Sequence, residues 1–162
     1  MNHLMRGHAP ITDEAWAEID KEARERLVPA LGARKLVDFD GPKGWKYSAT
    51  NLGRTEEVAD GPTDGTFVRQ RQVLPLVELR TPFTIRREEL AELGRGAIDT
   101  DFESLDDAAH TTAVAENTAV FHGLASAGIK GIADASSHKT IPRGENNCFR
   151  YPEHIAKAIE ML

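Results

Sequence analysis

The chain has one cysteine, Cys148, among its 162 residues, so no internal disulfide framework is possible and a reducing compartment such as the cytosol is expected. Long hydrophobic runs are missing as well. No window approaches the roughly 18 apolar residues of a membrane span, and the opening MNHLMRGHAPITDEAW has no apolar stretch of signal-peptide length. Neither a membrane partner nor secretion is expected. Clustered positive charge is the third absence. Lys and Arg number 20 against 26 Asp and Glu, a formal net charge of -6, so a phosphate-binding surface would need local clustering against the overall sign. The densest candidate, Arg69-Gln70-Arg71 with Arg80, Arg86 and Arg87 further on, is spread through extended chain and diluted by Glu78, Glu88 and Glu89. No nucleic acid partner is expected.

Chemical signatures are equally sparse. Cys148 has His138 and His154 nearby in sequence, but no nucleophile elbow or other fixed spacing frames a Cys/His pair, and an incidental thiol is the simpler account. Asp106 and His110 lie one helical turn apart, and His3 and His8 sit on an N-terminal arm. A catalytic zinc needs three converging ligands, and neither HExxH nor CxxC spacing is present. Glu116 has Ala119 where a di-iron carboxylate motif would place histidine. Phosphate-cradling glycine motifs are absent, and Gly94-Arg95-Gly96 reads as a helix stop and a turn. Trp45 and Tyr47 have the chemistry to stack on a planar ligand, although alternation on a strand accounts for them. No enzyme, metal or cofactor is expected.

What is present is a globular composition, 40% hydrophobic and 28% charged, in a chain long enough for one domain with its own core. Thr12 offers an N-cap to a helix over about 13–28, with Trp16, Ile19, Ala23 and Leu27 as its apolar stripe and Pro29 as its stop. Leu36-Val37-Asp38-Phe39 reads as a strand. The stretch 41–85 then reads as two extended arms around the tip Asp60-Gly61-Pro62-Thr63-Asp64-Gly65, with little to form a core of its own. Its returning arm alternates at Val77, Leu79, Phe83 and Ile85, while Pro75 and Pro82 exclude a strand paired on both edges. This arm starts in the open and finishes against a core.

A short helix is expected near 87–93, stopped by Gly94. A long alanine-rich helix then begins at a capping-box-like Ser104 and ends at Gly128, about 35 Å long, with its apolar face through Leu105, Ala109, Thr112, Ala119, Val120 and Leu124. The last segment carries an amphipathic stripe, Ile155, Ala158, Ile159 and Leu162, that stops without a cap, as in a chain cut short.

This order of parts resembles the shell protein of an encapsulin nanocompartment, also known as the linocin-like bacteriocin family, built on the Hong Kong 97-type phage capsid fold. The likeness is carried by Ala9-Pro10, Trp16 with Glu18-Ile19-Asp20, Gly32 with Arg34-Lys35 and Val37-Asp38, and Gly41-Pro42 with Gly44-Trp45 and Tyr47. It continues through Leu74-Pro75-Leu76 with Glu78-Leu79-Arg80, Pro82-Phe83-Thr84, Arg95-Gly96, Phe121 with Gly123, and Gly128-Ile129-Lys130-Gly131-Ile132. The resemblance implies an α+β capsid-type fold. Residues 1–40 would form an N-terminal arm, helix and first peripheral strand, 41–76 an extension loop, 77–128 a peripheral domain with its spine helix, and 129–162 the beginning of a truncated axial domain.

It further implies that the hairpin, with Trp45, Tyr47, Phe67, Arg69 and Arg71, pairs on a neighbouring subunit of an icosahedral shell. A cargo enzyme, ferritin-like or a dye-decolorising peroxidase, would be held by its C-terminal targeting peptide against Arg24, Leu27, Arg34, Leu36 and Asp38. Some family members bind a flavin beside a tryptophan just after the Phe-Thr pair. Here that position is Glu88, so flavin is not expected. The alternatives are a phage-type capsid protein packaging nucleic acid and a secreted bacteriocin or protease.

Overall fold

The structure is a computed structural model that describes residues 4–58, 61–142 and 148–161. Its elements in chain order are α1 (Asp13–Ala30), β1 (Ala49–Val58), β2 (Val68–Pro75), α2 (Arg87–Leu93), α3 (Glu103–His122), α4 (Ile132–Ala135) and α5 (Tyr151–Ile159), with 3-10 turns at Arg6–His8, Ala33–Lys35, Ala125–Ala127 and Cys148–Arg150. The mixture of helices with a small antiparallel sheet is an α+β architecture. No helix among the described residues is long and apolar enough to cross a membrane.

The helix α1 starts where Thr12 accepts a bond from the Ala15 amide at 3.2 Å, with Asp13 and Glu14 in the first turn. It runs past Pro29 to Ala30, two residues beyond the expected stop. Proline removes only its own donor, and the Leu31 amide still reaches the carbonyl of Leu27 at 3.2 Å. Of the expected stripe Ile19 is buried, whereas Trp16, Ala23 and Leu27 are half-covered and Ala15 takes the other buried place.

The partner of α1 is α3. Between them lies a core of mostly small side chains: Ala15, Ile19, Leu31, Ala33, Leu105, Ala108, Ala109 and Ala113. Alanine on both sides lets the helix backbones approach closely, so this contact gains packing where bulk is lacking. α3 opens at Glu103, not at Ser104. The Glu103 amide is met by Asp101 Oδ1 at 3.1 Å, which leaves the Ser104 hydroxyl to accept from the Thr84 amide at 3.0 Å. Its close comes at His122, giving 20 residues, about 30 Å instead of 35. The cause is Gly123, whose φ of 79° and ψ of 175° lie in a region glycine alone occupies readily.

A tight closure follows. The Leu124 amide bonds Ile129 O at 2.8 Å, and Gly131, buried, lies directly on the end of α3. A Cβ on Gly131 would sit 2.3 Å from Gly123 N and 2.4 Å from His122 C.

Two expectations of strand fail. Residues 36–40 are not extended ladder: the amides of Leu36 and Val37 both turn back to Ala33 O, at 3.0 and 3.1 Å. A strand needs a neighbour, and the sheet order β1-β2 offers none. For the same reason β2 stops at Pro75, and 77–85 runs without a partner strand. That returning segment is tied to α3 by polar contacts: Thr81 and Thr112 hydroxyls 2.8 Å apart, and Thr84 on Ser104. Val77, Leu79 and Phe83, the alternating set, are exposed, while Ile85 is half-covered.

The hairpin itself forms as expected, antiparallel, with Asn51 opposite Val73 and then Thr55 opposite Arg71. β1 therefore carries two extra residues in a bulge, where Gly53 has φ 68° and its amide meets Asn51 Oδ1 at 2.8 Å. The C-terminal α5 is amphipathic as expected, and its Ile155 and Ile159 are exposed. Expectations that fell on His3, Asp60, Leu162 and the Cys148 side chain lie outside the described residues.

Candidate functional site

Two surfaces carry the residues singled out in the sequence. The first runs along α1. Trp16, Asp20, Arg24 and Leu27 follow one another at helical spacing and share one face, with Arg24 exposed and Leu27 half-buried. Asp20 is held below the ordinary carboxylate range, first by its hydrogen bonds from Arg6 and further by the charges of Arg6 and Arg24. The residues Arg34, Leu36 and Asp38 follow immediately after α1. Leu36 is 74% exposed, an unusual position for leucine beside a helix end.

Arg34 is engaged elsewhere. Its Nε and Nη2 donate to the two oxygens of Glu116 on α3, at 2.6 and 2.7 Å, and its guanidinium lies 4.4 Å from the centre of the Phe39 ring. The pairing with Glu116 raises its pKa further. No hydrogen bond among the described residues joins any two of Arg24, Leu27, Arg34, Leu36 and Asp38. The stretch thus presents two leucines, one cation and one carboxylate, with Arg34 anchoring its start to α3.

That anchoring has a second member which sequence reasoning missed. Asn117, one residue along α3 from Glu116, accepts from the Ala33 amide at 2.9 Å and donates to Ala30 O at 2.9 Å. One side-chain amide therefore satisfies the amide that begins the next turn and gives Ala30 O, already bonded by the Gly32 amide at 2.9 Å, a second donor. The signal in the sequence was an asparagine in the middle of an alanine-rich helix, a poor helix former held there by a local task. Arg26 completes the link, reaching Glu22 at 2.8 Å and Asp106 at 3.0 Å. Burial pushes the Asp106 carboxyl up, Arg26 lowers it, and Glu22 raises it again. Asp106, considered with His110 for metal, is thus part of an ion pair, and no group of three His, Cys, Asp or Glu able to hold a metal occurs among the described residues.

The second surface is the hairpin. Phe67 is 84% exposed near its tip. Leu52, Val58, Val73 and Leu74 are exposed along the strands, as is Trp45 at the base. Tyr47 is fixed by a 3.1 Å contact between its hydroxyl and that of Thr50, and Arg69 Nε reaches the Thr55 hydroxyl at 3.1 Å, leaving Arg71 opposite Thr55 in the ladder. Among the described residues neither strand has a third strand beside it, so both outer edges present backbone donors and acceptors outside the ladder. The arrangement can add strands and bury apolar side chains. It offers no converging acid, base or nucleophile.

The family described as encapsulating protein for peroxidase matches residues 1–162. A type 1 encapsulin shell protein of Rhodospirillum rubrum is 49% identical over 146 residues, covering 87% of this chain and 52% of the relative. Those of Brevibacterium linens and Mycobacterium tuberculosis are 43% and 37% identical over the whole of this chain and 60% of their own length. The chain therefore spans between half and three-fifths of these relatives. Matched along its whole length by the family, the chain belongs to the encapsulating proteins of the encapsulin shell type.

Proposed function

We propose that the chain is part of a non-enzymatic subunit of a self-assembling icosahedral shell with the Hong Kong 97-type capsid fold, a cytoplasmic compartment enclosing a cargo enzyme. Residues 1–40, 41–76, 77–128 and 129–162 correspond in this reading to the arm with its helix, the extension loop, the peripheral domain and the start of the axial domain. The observation that supports it most is the hairpin Ala49–Pro75, a ribbon that among the described residues pairs only with itself and leaves Phe67, Val73 and Leu74 exposed. An isolated two-stranded ribbon is marginal in water, so it gains its stability from a second copy. Trp45, Tyr47, Phe67, Arg69 and Arg71 are the residues that contact this neighbour.

The cargo is a ferritin-like protein or a dye-decolorising peroxidase, held by its C-terminal peptide along Arg24, Leu27, Arg34, Leu36 and Asp38. The leucines supply apolar contact, and Arg24 and Asp38 orient the peptide through charge. Electron microscopy of the full-length subunit, with mass spectrometry of what co-purifies, tests the reading. Closed particles containing an iron protein or peroxidase are expected. Monodisperse small oligomers, or particles filled with nucleic acid, would overturn it.

A further inference from the structure

The face of α1 that carries Arg24 and Leu27 is not open along its whole length. Residues before Thr12 fold back onto it through the 3-10 turn Arg6–His8, closed by bonds from the His8 amide to Met5 O at 2.9 Å and from the Ala9 amide to Arg6 O at 3.0 Å. Arg6 is the hook. Its Nη1 and Nη2 donate to the two oxygens of Asp20 at 2.6 and 2.5 Å, and its guanidinium stacks 4.6 Å from the centre of the Trp16 ring. Trp16 and Asp20 are the two residues that continue the Arg24–Leu27 stripe toward the helix N-terminus.

We infer that the N-terminal arm is an autoinhibitory strap: by clamping Arg6 on Trp16 and Asp20 it covers the first half of the α1 docking face, and it must release for a peptide to occupy the full stripe. This rests on the proposed docking of cargo along Arg24 and Leu27. Three observations fit a strap that opens. The Arg6 ion pair to the helix lies at the surface, with the Asp20 side chain half exposed, so water competes for it. The fit is incomplete: Arg6 Nε and Trp16 Nε1 are shielded from solvent yet have no acceptor among the described residues. Once the arm lifts, water reaches Arg6 Nε, and a carbonyl of a peptide backbone laid along the helix suits Trp16 Nε1. Finally, a cleft of about 520 Å3 lies between arm and helix, so the arm does not seal against the stripe it crosses.

A strap closed most of the time lowers apparent affinity by the fraction of time the face is open, so a closed state favoured about tenfold weakens docking about tenfold. Arg6 lies outside the residues assigned to docking. The test therefore uses shells of the full-length subunit carrying Arg6→Ala, with Arg6→Lys, which keeps charge but loses the fork, as an intermediate. The probe is the protein that mass spectrometry identifies inside wild-type shells, co-expressed at graded, limiting levels.

Two readouts are taken. Amide exchange over residues 4–11 reports the arm itself and is expected to rise about tenfold in Arg6→Ala, while cargo per shell at limiting cargo is expected to rise at least about twofold. Faster exchange with unchanged or reduced loading overturns autoinhibition. Unchanged exchange shows that Arg6 is no hook and overturns it too. Loading that is unchanged by Leu27→Ala in the same shells shows instead that the docking reading is wrong, and the inference falls with it.

Discussion

The α1–α3 pair and the β1–β2 hairpin are built from the same chain by opposite rules. In the first, alanines, a buried leucine and an isoleucine close on one another, and every polar contact at the seam is made within the molecule: Asn117 to Ala30 and Ala33, Arg34 to Glu116, Arg26 to Asp106. In the second, apolar side chains face outward and backbone edges stay unpaired. The difference teaches that the fold is locally complete on one side and deliberately unfinished on the other. Mutations in the helix pair should therefore change stability, and mutations in the hairpin should change association.

The sharpest break of the comparison lies at the end of α3. Gly131→Ala places a Cβ against backbone at 2.3 to 2.4 Å, where no flexible side chain can yield. The expected loss is about 3 kcal/mol or more, enough to unfold a marginal domain. Thermal unfolding of the full-length subunit checks it, and a melting point near that of the wild type would mean that the Gly123–Gly131 contact is not the closure described. Asn117→Ala comes next. It strips the Ala33 amide of its acceptor and takes one of two donors from Ala30 O, which keeps the Gly32 amide at 2.9 Å, for an expected cost of about 1 to 3 kcal/mol. Asn117→Asp, which keeps the acceptor for Ala33 and loses the donor to Ala30, should retain part of the stability. Equal losses in the two variants would show that the helix pair does not depend on both bonds.

The hairpin should answer in the other way. Phe67→Ser and Leu74→Ser remove exposed apolar groups, so the melting point of unassembled subunit should move by less than about 0.5 kcal/mol equivalent. Particle yield should fall. If the subunit is destabilised and assembly persists, the hairpin packs within its own chain and the comparison fails.

The two regions were also unequally legible in the sequence. α1 and α2 were readable because capping at Thr12 and the glycine at 94 act locally. The hairpin was readable for the same reason, through Gly and Pro at its tip, although its returning arm was carried on to Ile85 and the strand stops at Pro75. What failed was decided at a distance. Leu36-Val37-Asp38-Phe39 has strand composition, but pairing depends on a neighbour that local sequence does not reveal. Ser104 has a cap's chemistry, but Thr84, 20 residues earlier, claims its hydroxyl. The end of α3 was missed because the helix was run on to Gly128, past Gly123, where Gly131 packs so closely that a Cβ would lie 2.7 Å from its amide nitrogen. Of the stretch proposed for docking, Arg24 and Leu36 lie at the surface. The Arg34–Glu116 pair spans 82 residues and was beyond periodicity to foresee.

The smallest expected effect separates two carboxylates of α1 and α3 by the sign of their response to pH. Asp20, hydrogen-bonded by Arg6, has its folded pKa below that of a free aspartate. Its contribution to stability is present above the unfolded pKa and is lost as pH falls through the lower folded one. Asp106 is shifted the other way, by burial first and against the opposing pull of Arg26. Its charge opposes folding above the raised folded pKa, and that penalty disappears as pH falls toward the unfolded value, where both states are protonated. Asp106→Asn therefore should improve relative stability at neutral pH compared with its effect near pH 3, while Asp20→Asn should do worse at neutral pH than near pH 3. Arg26 keeps Glu22 as a partner at 2.8 Å, so loss of the Asp106 pair leaves no stranded cation. Both carboxylates are partly exposed, so each change should stay well below that of Asn117→Ala and shrink in high salt. Denaturant midpoints of the two variants across pH 3 to 7 decide it: slopes of the same sign would mean that the seam at Asp106 is as open to water as the surface at Asp20.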